Sequence, residues 1–212
     1  MAKSKPRFTR VAQLKSATDF VGHLASINAD MPFKENLSAH TKSALGEPFA
    51  MKSGQTIGNR FCILPMEGWD GTSDGLPTEL TKRRWHNFAI SGAKLLWGCE
   101  AVAVCPEGRA NPNQLLINEK NLDAFKDLYN GVIADHEEKF GSSTDLLVGL
   151  QLTHSGRFAV PDEDRKRKPK TLYKHSILDK KFNLAADHEV MTDAEIDKLV
   201  DDFVVAAGLA KE

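Results

Sequence analysis

Three polar side chains lie within or just beyond otherwise apolar stretches, where an α/β protein places its chemistry. They are Glu67 after residues 61–64, Glu100 within 95–104, and Gln151 within 146–152. A carboxylate can exchange protons or pair with a cation, and an amide both donates and accepts hydrogen bonds. Glu100 is best explained as a buried carboxylate paired with an arginine or with strand-end amides. Trp69 adds one large aromatic side chain to the loop that carries Glu67.

The apolar stretches themselves predict strands of a parallel sheet. Residues 61–64 have no helical period, and Gly58 and Pro65 bound them before the chain turns polar. A short apolar run of this kind is typical of a strand buried on both faces. Residues 95–104 and 146–152 repeat the pattern, and each is followed by a polar loop. In α/β proteins such loops, at the carboxyl ends of the strands, form the functional site.

Helical patterns separate these strands. We expect Thr78 to cap the helix after the first strand, and Asn118 to cap the next helix, which Gly141 ends. Thr192 and Glu195 form a capping box that opens a third helix. Three strand–helix units in series predict a parallel sheet with right-handed crossovers. Arg83 and Arg84 are expected on the exposed face of their helix.

The N-terminal part of the chain is less informative. Residues 19–27 predict a short amphipathic helix, and residues 49–58 predict a hairpin that turns at Ser53 and Gly54. We interpret 1–57 as an N-terminal lead-in and 58–212 as the main domain.

Composition indicates an ordinary soluble globular protein, with 212 residues, a formal net charge of −1 and 41% hydrophobic residues. The near-neutral balance argues against a nucleic-acid binder. The sequence contains no run of 18 apolar residues, so it predicts no membrane helix. Its basic start lacks the apolar stretch of a secretory signal. We therefore expect a cytoplasmic protein that does not associate with membranes.

Cysteine and histidine spacing predicts neither a disulfide framework nor a metal site. Cys62, Cys99 and Cys105 form no Cys-x-x-Cys pair, so reduced, buried thiols fit best. His136, His175 and His188 also lack metal-ligand spacing. The charged segment 162–170 mixes acids with bases, which favours a solvated loop over a nucleic-acid patch.

Chain length bears on the architecture. A complete (β/α)₈ barrel typically needs about 250 residues. The sequence stops within, or at the last turn of, a helix that should feed a fourth strand. We therefore expect a TIM (β/α)₈ barrel of which this chain holds the N-terminal segment and about the first three strand–helix units.

An ordered set of short motifs resembles the old yellow enzyme family of flavin-dependent, NAD(P)H-using ene-reductases. The motifs are Asn59-Arg60, Pro65-Met66, Gly75-x-Pro77-Thr78, Glu100-Ala101-x-Ala103-Val104, Gly108-Arg109 and Gln151-Leu-Thr-His-Ser-Gly-Arg157. The resemblance covers about residues 46–212, and each motif lies at a predicted strand end or in the loop behind it.

The resemblance implies an FMN lying across the carboxyl-end mouth of a TIM barrel, with NADH or NADPH as co-substrate. It assigns flavin contacts to Leu64, Pro65, Met66, Glu67, Ala101 and Gln151. Trp69 matches a position where an aromatic often lines the substrate pocket, and the alternative is that it anchors its loop by packing on the barrel rim. These residue types suit an isoalloxazine, which needs a flat apolar floor and a few fixed donors and acceptors. His154 and Arg157 are expected to orient the neighbouring loop.

The sequence departs from the family pattern in two respects. Glu67 stands where the family more often carries Thr or Cys, which affects the expected tuning of the flavin. The family's substrate-clamping pair follows the fourth strand, so we expect it beyond Glu212 and leave the catalytic residues unassigned. The chain alone is then expected to be inactive.

Three functional interpretations remain open. The first is an FMN-dependent oxidoreductase passing hydride from NAD(P)H through the flavin to an activated alkene or related small molecule. The second is a non-catalytic half-barrel that acts in assembly, because half a barrel exposes two sheet edges and an apolar face. The third is a flavin-free TIM-barrel aldolase or hydrolase, for which only Glu67 and Glu100 offer strand-end carboxylates. A homo-oligomer is compatible with each of them.

Overall fold

The computed structural model describes residues 8–36 and 43–212, and the chain divides into two compact units between Ser43 and Ala44. In the first unit, helix α1 (Ala17–Ser26) confirms the predicted N-terminal helix. Ser16 and Asp19 form its capping box. Phe20 packs edge-to-face on Phe33, with ring centroids 5.1 Å apart.

The second unit begins with the predicted hairpin. Strands β1 (Phe49–Ala50) and β2 (Thr56–Ile57) pair antiparallel, with Phe49 opposite Ile57. Gly54 has a φ of +91°, which suits the tight turn between them.

A three-stranded parallel sheet forms the centre of this unit, in the order β3-β4-β5. Its strands are β3 (Cys62–Ile63), β4 (Leu95–Ala103) and β5 (Leu147–Thr153). Helix α2 (Glu79–Ala89) connects β3 to β4, and helix α3 (Leu122–Phe140) connects β4 to β5. The α/β architecture agrees with the sequence, and the sheet is open.

The helix caps agree with the sequence at most positions. Thr78 caps α2 by accepting a hydrogen bond from the Leu80 amide, and Gly141 ends α3 in the left-handed conformation. The prediction of Asn118 as the cap of α3 is wrong, because the capping position is Asn121, three residues later. The Asn118 side chain instead accepts from the amide of Asn121, the residue that precedes the helix.

Two further helices follow the sheet. The polar segment after β5 contains the short helix α4 (Ser176–Lys181), which its weak periodicity did not predict. Helix α5 (Asp193–Lys211) begins at the predicted capping box of Thr192 and Glu195. No helix in the described parts of the chain combines the length and apolarity needed to span a bilayer.

The core lies between one face of the sheet and its helices, and we call this the outer face. Leu96 and Val102 of β4 are fully buried there, with Trp85 from α2, Val132 from α3 and Ala206 from α5. On β5, alternate residues pack against the same core (Val148, Leu150, Leu152). The opposite, inner face carries the residues between them, since successive strand side chains point to opposite faces.

The register of β4 against β5 shifts midway along the strands. Trp97 pairs with Gly149, but the next pair is Ala101 with Gln151, so three residues of β4 oppose one of β5. Gly98 lies in this irregularity with a φ of +90°, and a Cβ there would approach the Pro65 Cβ to 2.6 Å. Glycine is therefore needed both for the backbone conformation and for the close approach of Pro65.

Candidate functional site

The carboxyl ends of the three strands bring Met66, Ala101 and Gln151 side by side. The Ala101 amide donates a hydrogen bond of 3.1 Å to the Met66 carbonyl, and Ala101 is the register partner of Gln151. The backbones of all three strand ends are thus joined at one edge of the sheet. This is the convergence that the sequence predicts.

The inner face next to these residues is apolar and exposed. Leu64 is 68% exposed, Met66 is 67% exposed, and Trp97 is 59% exposed. Ala101, by contrast, is only 3% exposed. The result is an apolar surface on which Gln151 is the exposed amide at the carboxyl edge. Within the described residues, the Gln151 side chain makes no hydrogen bond.

Glu67 and Trp69 contact each other at the rim of this surface. The indole Nε1 of Trp69 donates a hydrogen bond of 3.1 Å to Glu67 Oε2. Trp69 has a φ of +51°, a conformation that is uncommon outside glycine, and its side chain is half exposed. The hydrogen bond therefore holds the Glu67 carboxylate at the rim, next to a half-exposed indole.

The loop that carries Glu67 and Trp69 is anchored from beneath by Glu100. This carboxylate is fully buried, accepts a 2.6 Å hydrogen bond from the Gly68 amide, and pairs with Arg84 at 2.7 Å. Burial raises the pKa of Glu100, and the nearby Arg84 cation and Gly68 amide lower it only in part. The expectation of a structural, ion-paired Glu100 is confirmed.

Arg84 corrects the sequence prediction. It was expected on the exposed face of α2, but its side chain is only 22% exposed and bridges two carboxylates. Besides Glu100, it donates a 2.8 Å hydrogen bond to Asp70, whose other neighbour is the buried Thr81 hydroxyl at 2.9 Å. Arg84 therefore ties α2, β4 and the loop after β3 together.

Sequence reasoning missed Gln114, a fully buried amide behind the site. Its Nε2 donates to the Ala101 carbonyl at 2.9 Å and to Thr153 Oγ1 at 3.1 Å. Its Oε1 accepts from the Ala110 amide at 2.7 Å. Gln114 thus fixes the ends of β4 and β5 from the loop between β4 and α3. The nearest signal is the apolar run 115–117 that follows it.

The loop after β5 is ordered by the two residues to which the sequence assigned orienting roles. His154 lies over Gly108, where an added Cβ would approach the ring to 2.4 Å. Burial lowers the pKa of His154 and favours the neutral ring. Arg157 pairs with Asp179 of α4 and donates to the Tyr173 carbonyl at 2.7 Å. Both side chains therefore serve the geometry of the loop.

The cysteines agree with the sequence in part. Cys99 and Cys105 are buried free thiols, whereas Cys62 is exposed, which corrects the prediction for that residue. Cys62 lies on the inner face, which the described residues leave uncovered. Burial raises the pKa of Cys99 to about 12.

The chain belongs to the NADH:flavin oxidoreductase / NADH oxidase family, whose model matches residues 44–212. A sequence search of curated proteins found no match. Solved structures share the fold. The old yellow enzyme from Pichia sp. AKU4542 superimposes with a TM-score of 0.59 at 21% identity, over 81% of this chain and 44% of that one.

Two further structures give similar values. The old yellow enzyme homologue from Zymomonas mobilis has a TM-score of 0.56 at 21% identity, over 79% of this chain and 45% of its own. Morphinone reductase has a TM-score of 0.55 at 19% identity, over 82% and 46%. The chain therefore spans less than half the length of these proteins, and its open parallel sheet matches part of a TIM barrel.

Proposed function

We propose that this chain forms part of an FMN-dependent oxidoreductase that transfers hydride from NADH or NADPH, through the flavin, to an activated alkene or a related acceptor. Family membership supports the reaction class. The observation that carries the proposal for this chain is the exposed apolar surface at the carboxyl edge of the sheet, where Met66, Ala101 and Gln151 adjoin.

The residues at this edge suit an isoalloxazine ring. Leu64, Pro65 and Met66 supply an apolar floor, and Ala101 leaves space where a larger side chain would project. Gln151 has both amide groups available within the described residues, so it can meet the donors and acceptors of the pyrimidine portion. When bound, the flavin supplies the two-electron redox chemistry that no side chain here can provide.

Glu67 and Trp69 have positioning roles in this proposal. The indole hydrogen bond holds the Glu67 carboxylate beside the floor, and the half-exposed indole is available to line a substrate pocket. The Glu100–Arg84 pair fixes the position of this loop relative to β4, because Glu100 accepts a hydrogen bond from the Gly68 amide. Since the chain spans less than half the length of the solved structures that share its fold, we expect these residues alone to bind flavin without turnover.

The test is a titration of the purified chain with FMN, followed by flavin fluorescence and by the induced circular dichroism of the bound ring. We expect saturable binding that Gln151→Leu weakens by about tenfold, the effect of one hydrogen bond of about 1.4 kcal/mol. Gln55→Leu is the matched control, because Gln55 is an exposed amide in the β1–β2 hairpin.

Two outcomes would overturn the proposal. One is a chain that shows no saturable signal with FMN. The other is binding that Gln151→Leu and Gln55→Leu affect equally, because the inner face would then not be the binding surface.

A second candidate function, assembly with another chain, is favoured by the same exposed face. Leu64, Met66 and Trp97 expose apolar area, and β5 has a free edge within the described residues. Sedimentation of the flavin-free chain separates the two. A stable dimer that Trp97→Lys dissociates, together with an absence of FMN binding, would favour assembly over flavin chemistry.

The flavin-free aldolase or hydrolase interpretation receives little support. It needs a pair of available carboxylates at the strand ends. Glu100 is engaged by Arg84 and Gly68, and Glu67 by Trp69.

A further inference from the structure

A cluster of metal-ligating side chains lies away from the inner face, between the end of β4 and helix α5. The Cys105 Sγ and one carboxylate oxygen each of Glu107 and Asp202 all lie within 4.8 Å of one another. Cys105 is buried, Asp202 is partly buried, and Glu107 is exposed. Solvent therefore reaches the cluster through Glu107 and in part through Asp202, whose side chain is 25% exposed.

Two segments bring this cluster together, the loop after β4 and helix α5. Cys105 follows β4 by two residues, and Glu107 lies in the short 3₁₀ turn Pro106–Gly108. Asp202 lies in the middle of α5, whose Ala206 packs into the core one turn later. The packing of α5 and of Cys105 into the core therefore brings Asp202 to the loop that carries the other two ligands.

Space for an ion and its water ligands adjoins the cluster. A cavity of about 140 Å³ is lined by Glu107, Asp202, His154 and Lys198, among others. The Gly156 amide donates to His154 Nδ1 at 3.1 Å, so the neutral ring carries its proton on Nε2. From the wall of the cavity, that N–H can serve a metal-bound water or a ligating carboxylate.

We propose that Cys105, Glu107 and Asp202 form a binding site for a borderline divalent cation, with Zn²⁺ as the best match. Ligand atoms of a tetrahedral zinc site lie about 3.5 Å apart. Side-chain rotations that move the ligand atoms by about an ångström would therefore bring all three within bonding distance of the ion. One thiolate with two carboxylates selects Zn²⁺ over Mg²⁺ or Ca²⁺, which prefer oxygen ligands alone. The fourth position is left to water. Binding releases the thiol proton to solvent as the Cys105 sulfur becomes a thiolate.

In the absence of metal, Lys198 neutralises part of the negative charge of the site. Its ammonium pairs with Asp202 at 2.6 Å, one turn apart on α5, and its own side chain is largely exposed. The ammonium supplies the positive charge that the metal would bring. The ion must displace it, so removal of Lys198 should favour binding.

Cobalt(II) is the probe, because a thiolate ligand produces a charge-transfer band in the near ultraviolet. The chain is titrated in a Cys62→Ser background, which removes the exposed thiol. We expect one equivalent of Co²⁺ per chain, displaced by Zn²⁺ and unaffected by excess Mg²⁺. Cys105→Ser should abolish the band, while Cys99→Ser, at another buried free thiol, should retain it.

Two carboxylate variants keep the test decisive if Cys105→Ser fails to fold by circular dichroism. Glu107→Gln and Asp202→Asn should each weaken cobalt binding by at least about tenfold, the lower limit seen for the loss of even an outer-sphere partner. Lys198→Ala should tighten binding. The proposal is overturned if the chain binds no cobalt, if the band persists in Cys105→Ser, or if both carboxylate variants bind as the parent does.

Discussion

The two faces of the three-stranded sheet are built from the same strands but differ in what covers them. On the outer face, Leu96 and Val102 are fully buried beneath the helices. On the inner face, Trp97 of β4 and Leu64, which directly follows β3, are more than half exposed. The outer face therefore supplies the stability of the unit, and the inner face is the surface left for a ligand or a partner.

The largest expected effect contrasts two leucines on the two faces. Leu96→Ala should lower the free energy of unfolding by about 2–5 kcal/mol, because it leaves a cavity in the core. Leu64→Ala, at a side chain 68% exposed, should change it by less than about 0.5 kcal/mol. Urea unfolding of both variants measures the difference. Equal losses would show that the inner face is covered in solution.

The next effect concerns the anchor beneath the site. Arg84→Met leaves the buried Glu100 carboxylate without its cation and should cost up to about 3 kcal/mol, at the low end for a broken buried pair because Arg84 is partly exposed. Arg83→Met, one residue earlier on the exposed face of α2, is the control and should cost little. Similar urea midpoints for the two variants would remove the anchoring role.

Two glutamines make a third contrast. Gln114→Leu removes three hydrogen bonds and leaves the Ala101 carbonyl and the Ala110 amide short of a partner, at a cost of about 1–3 kcal/mol. Gln151→Leu replaces an exposed amide, so it should leave stability unchanged while it weakens the binding of FMN. Thermal unfolding of the two variants measures this difference in stability. A strongly destabilised Gln151→Leu would assign that residue a structural role instead.

The smallest effect is a pH dependence. Because burial raises the pKa of Glu100 above its ordinary value of 4.5, the folded chain holds this proton more tightly than the unfolded chain. The stability that Glu100 contributes is then full below that value and is lost as the pH rises through the folded-state pKa. The parent chain should therefore lose stability relative to Glu100→Gln over this range in urea titrations. A constant difference at all pH values would contradict the shift.

Local patterns predicted most elements, because hydrophobic period and capping residues act within a few positions of each other. Thr78, Gly141 and the pair Thr192–Glu195 mark their helices as expected. The short extent of β3 was less predictable. Its pairing with β4 ends at Ile63, and Pro65 then packs against Gly98 where the register shifts.

The errors at the site come from partners distant in sequence. Arg84 is partly buried because Asp70 and Glu100 lie on either side of it in space, and neither is near it on α2. Gln114 lies in a loop whose sequence has no hydrophobic period, so only the folded structure reveals its hydrogen bond to the Ala101 carbonyl. Cys62 was assigned to a strand buried on both faces, but the described residues cover only one face of the sheet.

Hydrogen–deuterium exchange of the chain with and without FMN tests the central claim most directly, because it locates the bound ligand on one face of one edge. We expect FMN to slow exchange in peptides covering residues 64–67 and 149–152, with little change in α2 or α3. Protection confined to the helices, or no protection at a concentration that saturates the fluorescence signal, would contradict the assignment of the inner face as the flavin surface.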